Sequence, residues 1–586
     1  MTKFNSKLVV KYSTVFGFTK KFDETELQVI DKSTWAKILA RLNHLARNRK
    51  NYTPDQVLKE WFSSENTEYS KAVYEKIKVG YGPLGFGPND LTLISIWSNL
   101  SLYDKVLKSK GNESTSLKGN TSEKNLFEIY LALNEEFAEG SNKIADELNI
   151  KDYTYPIDYL ARTTITTLIT YNDLVHLSPV ELLISHFIKA YYCFMFLEEG
   201  KHNDLVALFL KPYGVTSWQE YLKHLLPIMN AAVIQKDDSG LYYFNIENSA
   251  DPAKTKILFE HLALNQEESY PIKPDFLHAR ASPLFKTEEN RYLIMDPVLT
   301  VNRLYNSIFF ELLRIAEANS YLNPKYASFF SLYTFDFIEK FLSYSLLNKI
   351  YNKTQCYKLS GQEIKKKFSV ESEPDYYVRK GNKVFLFEVK GSIVTGIAKQ
   401  SFSYLKIEKE LKSKYLFDEK DKQNKAIRQL VERIITLFEG KAKYDEAANA
   451  RTIRIFPILL VSEIALTTPA TNFLLNQWFK AGVDKNDLLR NNKHRICDLV
   501  IIDLDTLILY SQVFEENNNL LETMILKYYA AVAQKKIRPA KGIEFNEQFI
   551  TMQMQKSFIP FSDFLRDELK IKAPDIFIEF GKDLLK

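Results

Sequence analysis

Cysteine is scarce: Cys193, Cys356 and Cys497 are the only three in 586 residues, and they lie far apart. An odd number with no CxxC pair excludes a disulfide framework and a zinc site of paired thiolates. A reducing cytoplasm is the expected compartment. Glycine and proline are few, 19 of each, which points to long regular elements joined by little linker. No run reaches the ~18 consecutive apolar residues of a membrane span; the nearest approach, Ala190 to Leu197, is bounded by Lys189 and Glu198. The opening MTKFNSKLVVKYST has no apolar segment of the kind a secretory signal carries. Charge of one sign is also lacking. Lys and Arg number 78 against 73 Asp and Glu, a formal +5, which permits a nucleic-acid partner without requiring one.

What the chain does have is apolar and aromatic mass, 45% and 13% of residues, enough for large cores. Residues 1–310 read mostly as helix, a region expected to recognise a protein partner or a second copy of the chain, or to regulate. In it Ser178-Pro179 reads as an N-cap and first helical residue, with Gly200 as the stop. The patch VGYGPLGFGPND formally holds GxGxxG, but no buried strand leads into it and no Lys-Ser/Thr follows, so it reads as a loop. From 311 to 510 the texture changes. A helix over 329–350 precedes short β-type runs at CYKLS, PDYYVRK and KVFLFEVKG. A helix over NKAIRQLVERIITLFEG follows, and then TIRIFPILLVSE and ICDLVIIDLDTLILY read as strands buried on both faces. This order describes an α/β domain with a mixed sheet flanked by helices. Residues 511–586 read as a C-terminal extension, helical at first and then irregular.

The informative segment is PDYYVRKGNKVFLFEVKG. Gly381-Asn382 between two β-type runs is a two-residue hairpin signal. Pairing Lys380 with Lys383 sets Asp375 opposite Glu388. Two facing carboxylates repel, so something must compensate them: Lys390, two residues along the same strand face, or a divalent cation. Tyr376, Val378, Phe385, Phe387 and Val389 fall on the other face, so burial of that face fixes the register. Asp, Glu and Lys converging on one strand pair suit metal-assisted phosphodiester hydrolysis, with hard carboxylate oxygens on Mg²⁺ (Mn²⁺ as a substitute) and a Lys acting on water or developing charge.

Pro374-Asp375 and Glu388-Val389-Lys390 resemble the two halves of the PD-(D/E)XK nuclease signature, over about residues 325–510. The resemblance implies a restriction-endonuclease-like core of αβββαβ order and a metal held by Asp375, Glu388 and the Val389 carbonyl. It also implies a supporting acid from the first helix at Glu339, and Gln429 as a support on the helix after the catalytic strand. Lys425 and Arg433 share a polar stripe with Gln429 and are the expected nucleic-acid contacts. Between Lys399 and Arg454 there are 14 Lys/Arg against 9 Asp/Glu, a basic rim able to attract phosphates.

The expected function is therefore a Mg²⁺-dependent endonuclease on DNA, of a size and layout that suit prokaryotic anti-phage defence. A ribonuclease using the same site, and a catalytically inactive nucleic-acid-binding scaffold, are the rivals. The triplets Glu363-Ile364-Lys365 and Glu410-Leu411-Lys412 lack a buried strand and read as solvated faces. His176 and His186 read as packing residues. Asp503 and Asp505 read as strand-end acids facing water.

Overall fold

The structure, a computed structural model, describes residues 7–47, 52–109, 120–153, 156–234, 240–264, 270–320, 324–370, 373–517, 519–533 and 553–586. The first 310 residues are mostly helical, as expected, but they also contain a three-stranded antiparallel sheet of Tyr242–Asn245, Arg291–Ile294 and Leu284–Glu288 that the sequence reading missed. These strands are only four or five residues long, too short for a period-2 pattern to stand out.

Helix α1, Pro179–Glu199, starts where its capping residues dictate. Ser178 Oγ accepts from the Glu181 N–H, and Glu181 returns the bond to the Ser178 N–H at 2.7 Å. Among the described residues it alone is long and apolar enough to cross a membrane. Much of it is buried against protein: Phe187, Ile188, Ala190, Cys193 and Phe194 all lie in the core, as in a central helix of a folded domain. All three cysteines are unpaired.

The second half is built on a five-stranded sheet. Its strands are β1 (Tyr357–Ser360), β2 (Tyr376–Lys380), β3 (Lys383–Lys390), β4 (Arg454–Val461) and β5 (Val500–Asp503), in the spatial order β5-β4-β3-β2-β1. The first three strands are antiparallel neighbours, and β3, β4 and β5 run parallel. The hairpin register is the expected one, with Lys380 opposite Lys383 and Tyr376 opposite Phe387. Gly381 has φ +60°, the left-handed value that glycine supplies at the first loop position of a tight hairpin.

Helices cover both faces. The segment α2, residues 329–350, packs with Tyr376, Phe385, Phe387 and Val389 in one core. Helices α3 (Ala426–Phe438) and α4 (Thr471–Asp484) pack with Tyr377, Val384, Leu386 and Leu459 in another. The register is therefore not fixed by one apolar face alone. The Glu388 face is interior too, and a slip would exchange one buried set for another. The run ICDLVIIDLDTLILY is also corrected: only Val500–Asp503 is strand, and Leu504–Glu516 is helix α5. Asp503 caps that helix, accepting from the Thr506 N–H at 2.8 Å, and Asp505 pairs with Lys189 at 2.7 Å. Both acids are buried, not facing water. A helix buried on nearly every side carries no polar stripe to distinguish it from a strand.

The C-terminal region is more regular than expected, with helices Phe561–Glu568 and α6 (Asp575–Leu585). Helix α6 returns to α1, where the Phe580 ring stacks on Tyr191 with centroids 3.8 Å apart. One apolar core runs from Val10 through the α2 face of the sheet to Leu584.

Candidate active site

The carboxyl end of β3 gathers the residues of the signature. Parallel strands place their carboxyl ends together, which is where open α/β sheets hold ligands. Glu388, Val389 and Lys390 are the last three residues of β3, and Asp375 immediately precedes β2. The ladder closes at Tyr376–Phe387, so Asp375 is one step beyond its last pair. From there its Oδ2 accepts the Val389 N–H at 2.7 Å. The N–H and C=O of one strand residue leave by the same edge, which directs the Val389 carbonyl to the Asp375 side of the strand as well.

Glu388 is 1% exposed. Its Oε1 lies 2.7 Å from Lys390 Nζ, and its Oε2 meets the Arg433 guanidinium from α3. Burying a carboxylate at this depth requires such partners. The ammonium weighed from the sequence as a compensator is in place, and the Arg433 guanidinium lies beside it. Arg433 is thus not on an exposed stripe: it is 7% exposed and turned inward onto the acid. Lys425, just before α3, sends its ammonium to Gln423 at 3.1 Å and Asp418 at 3.8 Å, not to this cluster. Gln429 does turn inward, and its Oε1 is buried with no hydrogen-bond partner.

Glu339 reaches the same point from α2. Residues Leu332–Leu342 of that helix are wound as a π-helix, a local widening that recurs at functional sites. Glu339 Oε1 accepts the Gly391 N–H at 3.0 Å. Gly391 is required by the close approach, because a Cβ there would stand 2.6 Å from the Thr334 carbonyl oxygen. Burial pushes the Glu339 carboxyl up to about 7, with Asp375 adding to the rise and Lys390 opposing it. Glu373 was not singled out from the sequence. Its Oε2 is buried without a partner, and its charge is felt by Arg433. Its only sequence signal is the acidic run Glu371-Ser372-Glu373-Pro374-Asp375.

Among the described residues no three His, Cys, Asp or Glu side chains form a ready-made metal cage. Mg²⁺ does not need one, since it keeps several waters and takes only one or two carboxylates. The donors on hand are hard oxygens from Asp375, Glu388 and the Val389 carbonyl, and Glu373 Oε2 and Gln429 Oε1 lie buried without donors. That donor chemistry fits a hydrated hard cation. The triplets Glu363-Ile364-Lys365 and Glu410-Leu411-Lys412 lie on helices Gly361–Phe368 and Tyr404–Tyr415, not on strands, and their acids bond helix-cap and loop backbone: Glu363 accepts the Ser360 N–H at 2.9 Å and Glu410 the Thr395 N–H at 2.6 Å.

No family model matches the chain, and comparison with curated proteins and with solved structures finds no match for it.

Proposed function

We propose that the chain is a Mg²⁺-dependent endonuclease acting on DNA, with a core of the PD-(D/E)XK type. The observation that carries this reading is the convergence of Asp375, Glu388, Lys390 and Glu339 on one strand end, around a peptide group bonded to Asp375. A bound Mg²⁺ would supply Lewis-acid stabilisation of phosphoryl charge and an acidified water. Asp375, Glu388 and the Val389 carbonyl would hold it. Lys390, released from Glu388 when that carboxylate is otherwise neutralised, offers an ammonium to the attacking water or to charge developing on phosphate. Glu339, with its carboxyl near neutrality, can take or return a proton at Oε2 while Oε1 stays on the Gly391 N–H. Gln429 and Glu373 have unused acceptor atoms for ordering water.

The test is cleavage of plasmid and single-stranded DNA, beside RNA, with Mg²⁺ or Mn²⁺. Wild type should cut DNA, and Asp375→Asn, Glu388→Gln and Lys390→Met should not. Equal cutting by all four proteins would end this reading, and cutting of RNA alone would move the substrate. One observation favours the rival of an inactive scaffold: Lys390 already pairs with Glu388 Oε1 at 2.7 Å, beside the Arg433 guanidinium. That rival predicts no rise in melting temperature on adding Mg²⁺.

A further inference from the structure

Between the helical region and the sheet lies a cavity of about 360 Å³, within the ~300–1,000 Å³ usual for small-molecule sites. It contains none of Asp375, Glu388, Lys390 or Glu339, yet its wall includes Ile338 and Gly391, each one residue from that cluster. Aromatic rings form one side. Phe309 stacks on Tyr333 with centroids 4.1 Å apart, and Phe310 lies against Phe309 at 4.9 Å. Phe310 is 52% exposed, so its ring is open to a ligand in the cavity.

The polar lining is rich in charge. Asp173 pairs with Arg280 at 2.8 Å, and Arg280 with Asp275 at 2.9 Å. Asp275 pairs with Lys399 at 2.8 Å, and Lys399 with Glu463 at 3.6 Å. Glu311 pairs with Arg303. Every carboxylate on the wall therefore has a cation. Three polar groups on the same wall remain unspent. Arg303 is 5% exposed, and its Nε has no hydrogen-bond partner. Asp173 Oδ1 is buried and accepts nothing. Arg314, one helical turn from Phe310 on the same helix, makes no ion pair or hydrogen bond among the described residues.

We propose that this cavity binds a nucleoside phosphate, with its base on the Phe309–Phe310 rings and its phosphate on Arg314 and Arg303. A simple anion would satisfy the guanidinium groups but leave the rings and Asp173 Oδ1 unused. An apolar ligand would strand Arg303 Nε and Asp173 Oδ1, and buried unpaired groups are costly. A nucleotide carries a π-face, an anionic group and donor N–H or O–H groups together, and so meets all three needs. Binding here does not depend on the nuclease reading, because the two sets of residues are separate.

The test is isothermal titration calorimetry of the full chain with ATP, GTP, CTP and UTP, beside pyrophosphate, adenosine and guanosine. At least one nucleotide should bind with micromolar affinity, and pyrophosphate and the nucleosides at least tenfold more weakly. Phe310→Ala and Arg314→Ala alter exposed side chains, so the fold should survive. Each should weaken nucleotide binding tenfold or more, and Asp375→Asn should leave it unchanged. Absence of nucleotide binding would overturn the proposal. So would binding that survives both cavity variants, or binding that is lost with Asp375→Asn, which would place the nucleotide at the acidic cluster.

Discussion

Two charge clusters are buried at the sheet, and they differ in how fully they are paired. The one joining the helical region to the sheet chains Asp173, Arg280, Asp275, Lys399 and Glu463 through ion pairs of 2.8–3.6 Å. Burial opposes the charge on Asp173, but Arg280 and Lys399 outweigh it and hold its carboxyl below the usual range. Glu463, at the end of the chain of pairs, is pushed up to about 7 by burial, and Asp173 Oδ1 is the one carboxylate oxygen of this cluster that is buried without a hydrogen-bond partner. In the other cluster Asp375 and Glu388 have partners, yet burial drives Glu339 up to about 7, and Glu373 and Gln429 keep acceptor atoms with nothing to accept. Satisfied charge holds structure together. Buried acceptors without donors and a carboxyl shifted by burial are perturbed groups of the kind that gather at functional sites.

The sharpest way to break that contrast is to neutralise one lysine in each cluster. Lys390→Met should lower DNA cutting at least ~100-fold, the range of a lost general acid–base or charge-stabilising group, while leaving the protein folded by circular dichroism. Lys399→Met should instead act on stability. Leaving Glu463 without its cation, and Asp275 with Arg280 alone, costs about 3–5 kcal/mol, read as a melting temperature several degrees lower. If Lys399→Met abolished cutting with no change in melting, the division between the clusters would fail.

Mg²⁺ should stabilise only through the acidic cluster. At about a hundredfold excess over Kd the gain is ~2.7 kcal/mol, so the melting temperature should rise in wild type and in Lys399→Met but not in Asp375→Asn. Gly391→Ala tests the approach of α2. The new methyl would meet the Thr334 carbonyl at 2.6 Å, and forcing the helix outward should cost about 1–3 kcal/mol in chemical denaturation.

A further effect is expected on pH dependence. The Glu339 carboxyl rises from 4.5 to about 7 on folding. In that window the folded chain holds a proton that the unfolded chain has released. Stability is therefore lost progressively as pH rises from 4.5, and the loss is complete above about 7. Glu339→Gln should melt higher than wild type at about pH 8 and converge with it at about pH 4.5. A constant gap across the range would assign the difference to packing.

Much of the acidic cluster was legible because short-range rules governed it. The Gly381-Asn382 turn set the register, and alternation along KVFLFEVKG put Glu388 and Lys390 on one face. Glu339 was named only through the family resemblance; of its helical neighbours Ile338 and Leu342 are buried and Phe335 is exposed. What escaped were facts set by tertiary packing. Arg433 looked like a surface residue on an amphipathic helix, and only the arrival of α3 over β3 turns it onto Glu388. Leu504–Glu516 looked like strand because it is buried on nearly every side. The cavity left no motif: Arg303, Phe309, Phe310 and Arg314 read as ordinary helical text, and the facing wall of Gly391, Lys399 and Glu463 comes from segments distant in sequence.

The stacking of Phe580 on Tyr191 has a consequence in time. Helix α1 is one of the most apolar elements of the molecule, and part of its cover comes from residues made nearly four hundred positions later. A chain still on the ribosome carries the whole acidic cluster long before that cover exists. Its central helix must then wait half-dressed, exposed to chaperones or to a neighbouring nascent chain. This part of the cover over α1 therefore comes only after residue 580 has been made.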